Sequence, residues 1–397
     1  MDPAWVERLV RGVREVPEGR PPWSPGVVVL AGRGPVVVAE EAAGWAQRYR
    51  AYDPERDRGV DLPRDLWEPM RAGTVFDLAS LTKLFTAVVA VQLAERGRLS
   101  LDDEVRAHLP AFAPGRTVRQ LLTHTSGLAP ELPFYDHPGR AAQLALLWRE
   151  AAAPSGGAGA GYRYSDLNLI ALALILERRT GRRLDALVRE QITGPLGMTS
   201  TRYGPLPPHG VAATEDQRRP WAKADRGMLR GEVHDENAWA LGGVAGHAGL
   251  FSTAQDLAVL CRTLLNGGAY GTTRILGPAA VDALLDPPGL GFVVDQPYFM
   301  GELAGRGAAG HTGFTGTSLV LDRATDTFLV LLANTVHPRR RDVLGASGRL
   351  RLAVRFRLAR RGGCCFFAFG GVGLLGRGRS LSSWCRVWSS GGGFPDC

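Results

Sequence analysis

Apolar and polar positions change period several times along the 397-residue chain, and each change marks an element. Residues 4–14, Ala-Trp-Val-Glu-Arg-Leu-Val-Arg-Gly-Val-Arg, repeat apolar side chains at helical spacing and predict an amphipathic helix. Gly26-Val-Val-Val-Leu-Ala-Gly and Gly34-Pro-Val-Val-Val-Ala follow as two β-rich runs around Gly32-Arg-Gly, which predicts a hairpin. From Arg48 to Arg71 the chain is polar and holds three prolines, the pattern of a surface loop.

Strand signal then fades from Thr74 to about Met198. A helix is predicted from near Ala79 through the apolar run Leu84 to Leu93, ending at Gly97 as the residue after the C-cap. Further helices are predicted at Ala141–Glu150 and Leu167–Arg179. Strand signal returns in residues 308–322 and 327–334, two runs joined by Arg323-Ala-Thr-Asp and predicted as a second hairpin. Strands at both ends of the chain and helices between them imply an α/β (α+β) architecture, with one antiparallel sheet flanked by helices and a helical lobe inserted. Residues 1–73 and 250–360 are assigned to the sheet lobe and 74–249 to the mainly helical lobe. Clefts form at such seams.

Composition narrows the classes of function. Charged residues make up 22% of the chain and hydrophobic ones 45%, ordinary values for a globular protein. The net charge of +8 is uneven: Pro338 to Cys397 holds twelve Arg and two Asp, so the rest is slightly acidic. That argues against a nucleic-acid partner. Four of the five cysteines fall in the last 34 residues, without metal-type or disulfide-framework spacing. The first residues lack the basic-then-apolar pattern of a secretion signal, and no apolar run reaches membrane-span length. A cytoplasmic protein with no membrane association is therefore expected. Residues 362–397 show no amphipathic period and are expected to be disordered, while 349–361 could complete a terminal helix.

The candidate chemistry begins at Ser80-Leu-Thr-Lys83. Three residues apart on a helix, the two side chains share one face, so a hydroxyl lies beside an amine that can take or orient its proton. Tyr164-Ser-Asp166 precedes the apolar helix at Leu167, and His311-Thr-Gly313 opens a late strand.

In order, spacing and flanks, these three motifs resemble the serine β-lactamase and penicillin-binding-protein family, in particular the class C β-lactamase-related branch that includes D,D-carboxypeptidases and esterases. The resemblance extends to Leu121-Leu-Thr-His-Thr-Ser-Gly-Leu, Pro195-Leu-Gly-Met-Thr-Ser-Thr and Gly249-Leu-Phe-Ser-Thr-Ala-Gln-Asp-Leu, and so spans roughly Gly26 to Asn334. It implies the β-lactamase/transpeptidase-like fold and catalysis by Ser80, Lys83 and Tyr164 through an acyl-enzyme. The backbone N–H groups of Ser80 and Phe314 would form the oxyanion hole, and Asp166, His311, Thr312 and Gly313 would meet substrate.

Two departures from the family pattern shape the expected activity. Asp166 stands where Asn is commoner; a carboxylate facing Lys83 favours the ammonium, which points to Tyr164 as the base, partly deprotonated, and to Lys83 as a charged orienting group. His311 stands where Lys is commoner, and Phe314 removes a hydroxyl that related peptidases direct at a substrate carboxylate. The expected activity is therefore carboxylesterase-type hydrolysis of small neutral esters or amides. A β-lactamase or D,D-carboxypeptidase is the alternative, and a non-catalytic binding protein of the same fold is a third possibility. His124 and His247 are assigned to packing or hydrogen bonding. His234-Asp-Glu-Asn237 offers ligand atoms without a second cluster, so neither a metal nor a cofactor is expected.

Overall fold

The run Val27-Val-Val-Leu30 is apolar at every position because both faces of its strand are covered. Side chains alternate between faces along a strand. Val27 and Val29 pack with Leu9 and Val13 of the N-terminal helix (Pro3–Glu15). Val28 and Leu30 face the main core, together with Phe328, Val330 and Leu332.

The structure is a computed structural model that describes residues 3–19, 22–153 and 161–340, together with two short paired strands, Arg355–Phe356 and Phe369–Gly370. Apart from those four extended residues, the expected terminal helix over 349–361 and the expected disordered tail over 362–397 lie outside the described residues.

Seven antiparallel strands form the main sheet, in the spatial order Val293–Val294, Ala309–Gly313, Thr317–Asp322, Thr327–Ala333, Gly26–Arg33, Val36–Gln47, Glu68–Pro69. Val27 pairs with Ala333 and Arg33 with Thr327, which closes the two ends of the chain into one sheet. The helix Ala254–Leu265 packs against this sheet.

Two elements differ from the sequence reading. The segment after Arg48 is not a plain loop: Tyr49–Asp53 pairs with Arg58–Asp61, and its edge returns to the sheet at Glu68–Pro69. Its polar residues form ion pairs such as Arg48–Asp61, which conceals the strand period. The run 308–322 is not one strand but two, split at Phe314-Thr-Gly316, where Gly316 takes a φ of 108° that favours glycine. This turn puts Phe314 beyond the end of its strand.

The helix that carries the Ser-Leu-Thr-Lys motif runs from Thr82 to Glu95 after one 3₁₀ turn at Ala79–Leu81. Every residue from Thr82 to Leu93 is buried, so this helix is the central rod of the core. It stops where expected: Gly97 has a φ of 65°, and Arg98 N–H reaches back to the Leu93 carbonyl. Phe85→Ala is expected to cost about 3–5 kcal/mol, because its fully buried ring leaves a cavity between packed helices. Urea denaturation would show this as a lower midpoint with an unchanged slope.

Candidate active site

Ser80 sits on a strained turn. Ala79, immediately before it, has a φ of 45°, a conformation that costs a non-glycine residue on the order of 1–3 kcal/mol and persists only where its surroundings enforce it. The buried Asp77 carboxylate does so: Oδ1 accepts the Ala79 N–H at 2.8 Å, and Oδ2 accepts the His234 N–H at 2.6 Å. From the other side, Thr315 Oγ1 donates to the Asp77 carbonyl at 2.8 Å and Thr317 Oγ1 to the Leu78 carbonyl at 3.0 Å. The turn before Ser80 and the turn that holds Phe314 are thereby tied together. Gly313 is required at this seam, because a Cβ there would lie 2.4 Å from the Leu78 carbonyl oxygen.

Lys83, Tyr164 and Ser80 meet as the sequence motifs anticipate. Lys83 Nζ donates to Ser80 Oγ at 2.9 Å, and the Tyr164 hydroxyl donates to the same oxygen at 3.0 Å. Lys83 also donates to the His247 carbonyl at 3.2 Å and pairs with Asp166 Oδ1 at 2.8 Å. Its ammonium thus faces three oxygens while fully buried. Burial works against the charge, but Asp166 and Tyr164 outweigh it and hold the Lys83 pKa above the ordinary range.

Tyr164 departs from the sequence expectation of a partly deprotonated phenol. Burial raises its pKa, and the nearby Lys83 ammonium offsets this incompletely. Both neighbours of Ser80 thus carry their protons and donate to its Oγ, so a base for the Ser80 proton would arise only once this pair has given one up.

His311 and His124 are neutral partners rather than cations. His311 is pushed down to about 4 by burial and by the Lys83 charge, and its Nδ1–H donates to the Thr312 carbonyl at 2.7 Å. His124 is pushed down to about 3, again chiefly by burial. Its Nδ1 accepts from Ser165 N–H and Asn168 Nδ2, both at 3.1 Å, and its ring stacks on Tyr164 at 4.7 Å. His247 Nε2 bonds Asp235 at 2.9 Å, and Asp235 also caps the helix Glu236–Ala240. Asp166, Asp235 and His247 bring one possible ligand atom each within 4.8 Å, but the Lys83 ammonium already faces Asp166. His234, Glu236 and Asn237 turn elsewhere: His234 Nε2 meets Glu215, Glu236 pairs with Arg340, and Asn237 accepts the Phe134 N–H.

Ser80 lines a cleft of about 640 Å³, the size of a small-ligand site. Tyr164, His311, Thr312, Gly313 and Phe314 line it, whereas Asp166 reaches Ser80 only through Lys83. Among the described residues no Lys or Arg lines this cleft. The sequence reading did not find Asp77, Thr315 or Thr317, since each acts across a contact between segments distant in the chain.

An antiparallel sheet closed from both chain ends, with serine, lysine and tyrosine converging at its seam with the helices, defines a serine hydrolase of the β-lactamase/transpeptidase fold. The chain belongs to the β-lactamase family, whose model matches residues 13–353. A protein of Escherichia coli K12 described as a putative D-alanyl-D-alanine carboxypeptidase is 33% identical, with 88% of each chain covered. An N-acetylmuramyl-L-alanine amidase of Bacillus subtilis is 31% identical over 79% of this chain and 78% of its own. Among solved structures, EstCE1, a hydrolase with promiscuous acyltransferase activity, is 25% identical with a TM-score of 0.59, covering 83% of this chain and 93% of its own. Among the described residues no helix is long and apolar enough to cross a membrane.

Proposed function

We propose that the protein hydrolyses small uncharged esters or amides through an acyl-enzyme on Ser80. The observation that carries this reading is the convergence of Lys83 Nζ and the Tyr164 hydroxyl on Ser80 Oγ, which lines the cleft. Ser80 Oγ bonds to the carbonyl carbon as its proton passes to Tyr164, once Tyr164 has lost its own. The oxyanion meets the N–H groups of Ser80 and Phe314, and Lys83 stabilises the charge that develops. The carbon–heteroatom bond then breaks as Tyr164 protonates the departing oxygen or nitrogen. Water repeats the sequence on the acyl-enzyme, releasing the acid and restoring the Ser80 hydroxyl.

The preference for uncharged substrates rests on the seam strand. A carboxylate beside it would meet neutral His311 and the Phe314 ring rather than a cation. Hydrolysis of a D-alanyl peptide or a β-lactam is the second reading, favoured by the described activity of the E. coli relative. A burst assay with p-nitrophenyl acetate and, in parallel, a chromogenic cephalosporin separates the two. The ester alone is expected to give a burst of one equivalent per Ser80, lost in Ser80→Ala. Cephalosporin turnover would favour the second reading. If neither substrate reacts and a fluorophosphonate leaves Ser80 unlabelled, the acyl-enzyme mechanism is wrong and a binding role takes its place.

A further inference from the structure

Five aromatic side chains are exposed among the described residues, Tyr162, Trp239, Tyr270, Tyr298 and Phe314. Three of them, Tyr162, Tyr298 and Phe314, line the one cleft that contains Ser80, at 62%, 40% and 40% exposure. Large apolar surface left open to water is costly unless something covers it in use. A concentration of it around one serine is therefore informative.

Each of these rings is also held from behind. Tyr162 packs edge-on against buried His124 with ring centres 5.9 Å apart. Tyr298 rests on buried Phe299 at 4.9 Å, and its hydroxyl lies 3.5 Å from Thr312 Oγ1. Phe314 stacks on buried His234 at 5.5 Å, and the Arg340 guanidinium sits 5.5 Å from its ring centre. That guanidinium is engaged by Glu215 and Glu236, so it fixes the ring rather than offering a free cation. Rings already fixed before binding lose little freedom when a ligand covers them. Leu122, Phe292 and Val294 extend the same apolar lining.

We infer that Tyr162, Tyr298 and Phe314 form a ring-binding subsite, and that the substrates are uncharged esters or amides bearing an aromatic ring. Stacked and edge-on aromatic contacts add to simple area burial, which gives this cleft a preference for a ring over a flexible chain of equal size. The inference rests on the acyl-enzyme reading for its chemistry, but ring recognition is measurable without turnover.

The test follows hydrolysis by pH-stat for two series. Ethyl phenylacetate against ethyl hexanoate places the ring on the acyl side, and benzyl acetate against pentyl acetate places it on the alcohol side. The ring ester is expected to win by about tenfold in kcat/KM in at least one series. Tyr298→Ala and Tyr162→Ala are expected to shrink that ratio by about tenfold through KM, and the Phe variants at both positions to keep it. Calorimetric binding of N-benzylphenylacetamide against N-methylacetamide to the Ser80→Ala protein reads the same preference without chemistry. Turnover with no ring preference in either series, or a ratio unmoved in both Ala variants, would overturn the subsite. Ring-selective binding to a wild-type protein that turns over no ester would leave the subsite standing and sink only the acyl-enzyme reading.

Discussion

Asp166→Asn is expected to move the rising limb of the pH–rate profile toward lower pH by about one to three units, and so to raise the rate near neutrality about tenfold or more. The sign follows from the resting protonation. Lys83 and Tyr164 both donate to Ser80 Oγ, and Asp166 keeps Lys83 charged well above its ordinary range. The form able to accept the serine proton is therefore scarce at neutral pH and grows as pH rises. An amide at position 166 withdraws the nearest negative charge, so the proton leaves the Lys83–Tyr164 pair at lower pH. The same substitution leaves a buried ammonium with one partner fewer, a change that costs about 3–5 kcal/mol when a buried pair is broken outright. A thermal melt must accompany the kinetics. A folded variant whose limb stays in place would show that Asp166 does not govern Lys83.

The double variant Thr315→Val/Thr317→Val is expected to lose about 100-fold in kcat with KM little changed. The two hydroxyls tie the backbone just before Ser80 to the turn that holds Phe314, so they set the distance between the two N–H groups that would bind the oxyanion. Losing one oxyanion donor costs about 10²–10³ in kcat, and a displacement of 1 Å in such a site can cost about 10². Valine keeps the shape but cannot donate, and the Ser variants at both positions should recover most of the rate. Affinity for a boronic acid, which forms a tetrahedral adduct on the serine, should fall in parallel. If the Val variants melt lower yet acylate at the normal rate, the hydroxyls serve stability alone.

The departures from the family pattern were legible as residues, but their consequences were not. Asp166 beside Lys83 follows from the motif spacing, and so does the charge it favours. That Tyr164 stays protonated required knowing that its half-buried ring stacks on His124 and loses solvation there, because a phenol opposite an ammonium exposed to water would shift the other way. Likewise the run 308–322 reads as continuous strand from its β-branched residues. Only the pairing of Gly313 with Thr317 across a three-residue turn divides it and brings Phe314 to the cleft.

Elements whose signal is local and periodic can be read from the order of the residues. These are the N-terminal helix, the first hairpin, the buried helix with its glycine stop, though its start was expected near Ala79 and lies at Thr82, and the three motifs that hold Ser80, Lys83 and Tyr164. Whatever depends on contacts between distant segments emerges only in the folded chain. The fold clamps Ala79 in its strained turn through Asp77, Thr315 and Thr317, sets the protonation of Lys83, Tyr164 and His311, and gathers three exposed rings around one serine. The physical reason is range. Side-chain periodicity is written within a few residues, whereas desolvation, charge pairing and backbone strain are fixed by whatever the fold brings within a few ångströms.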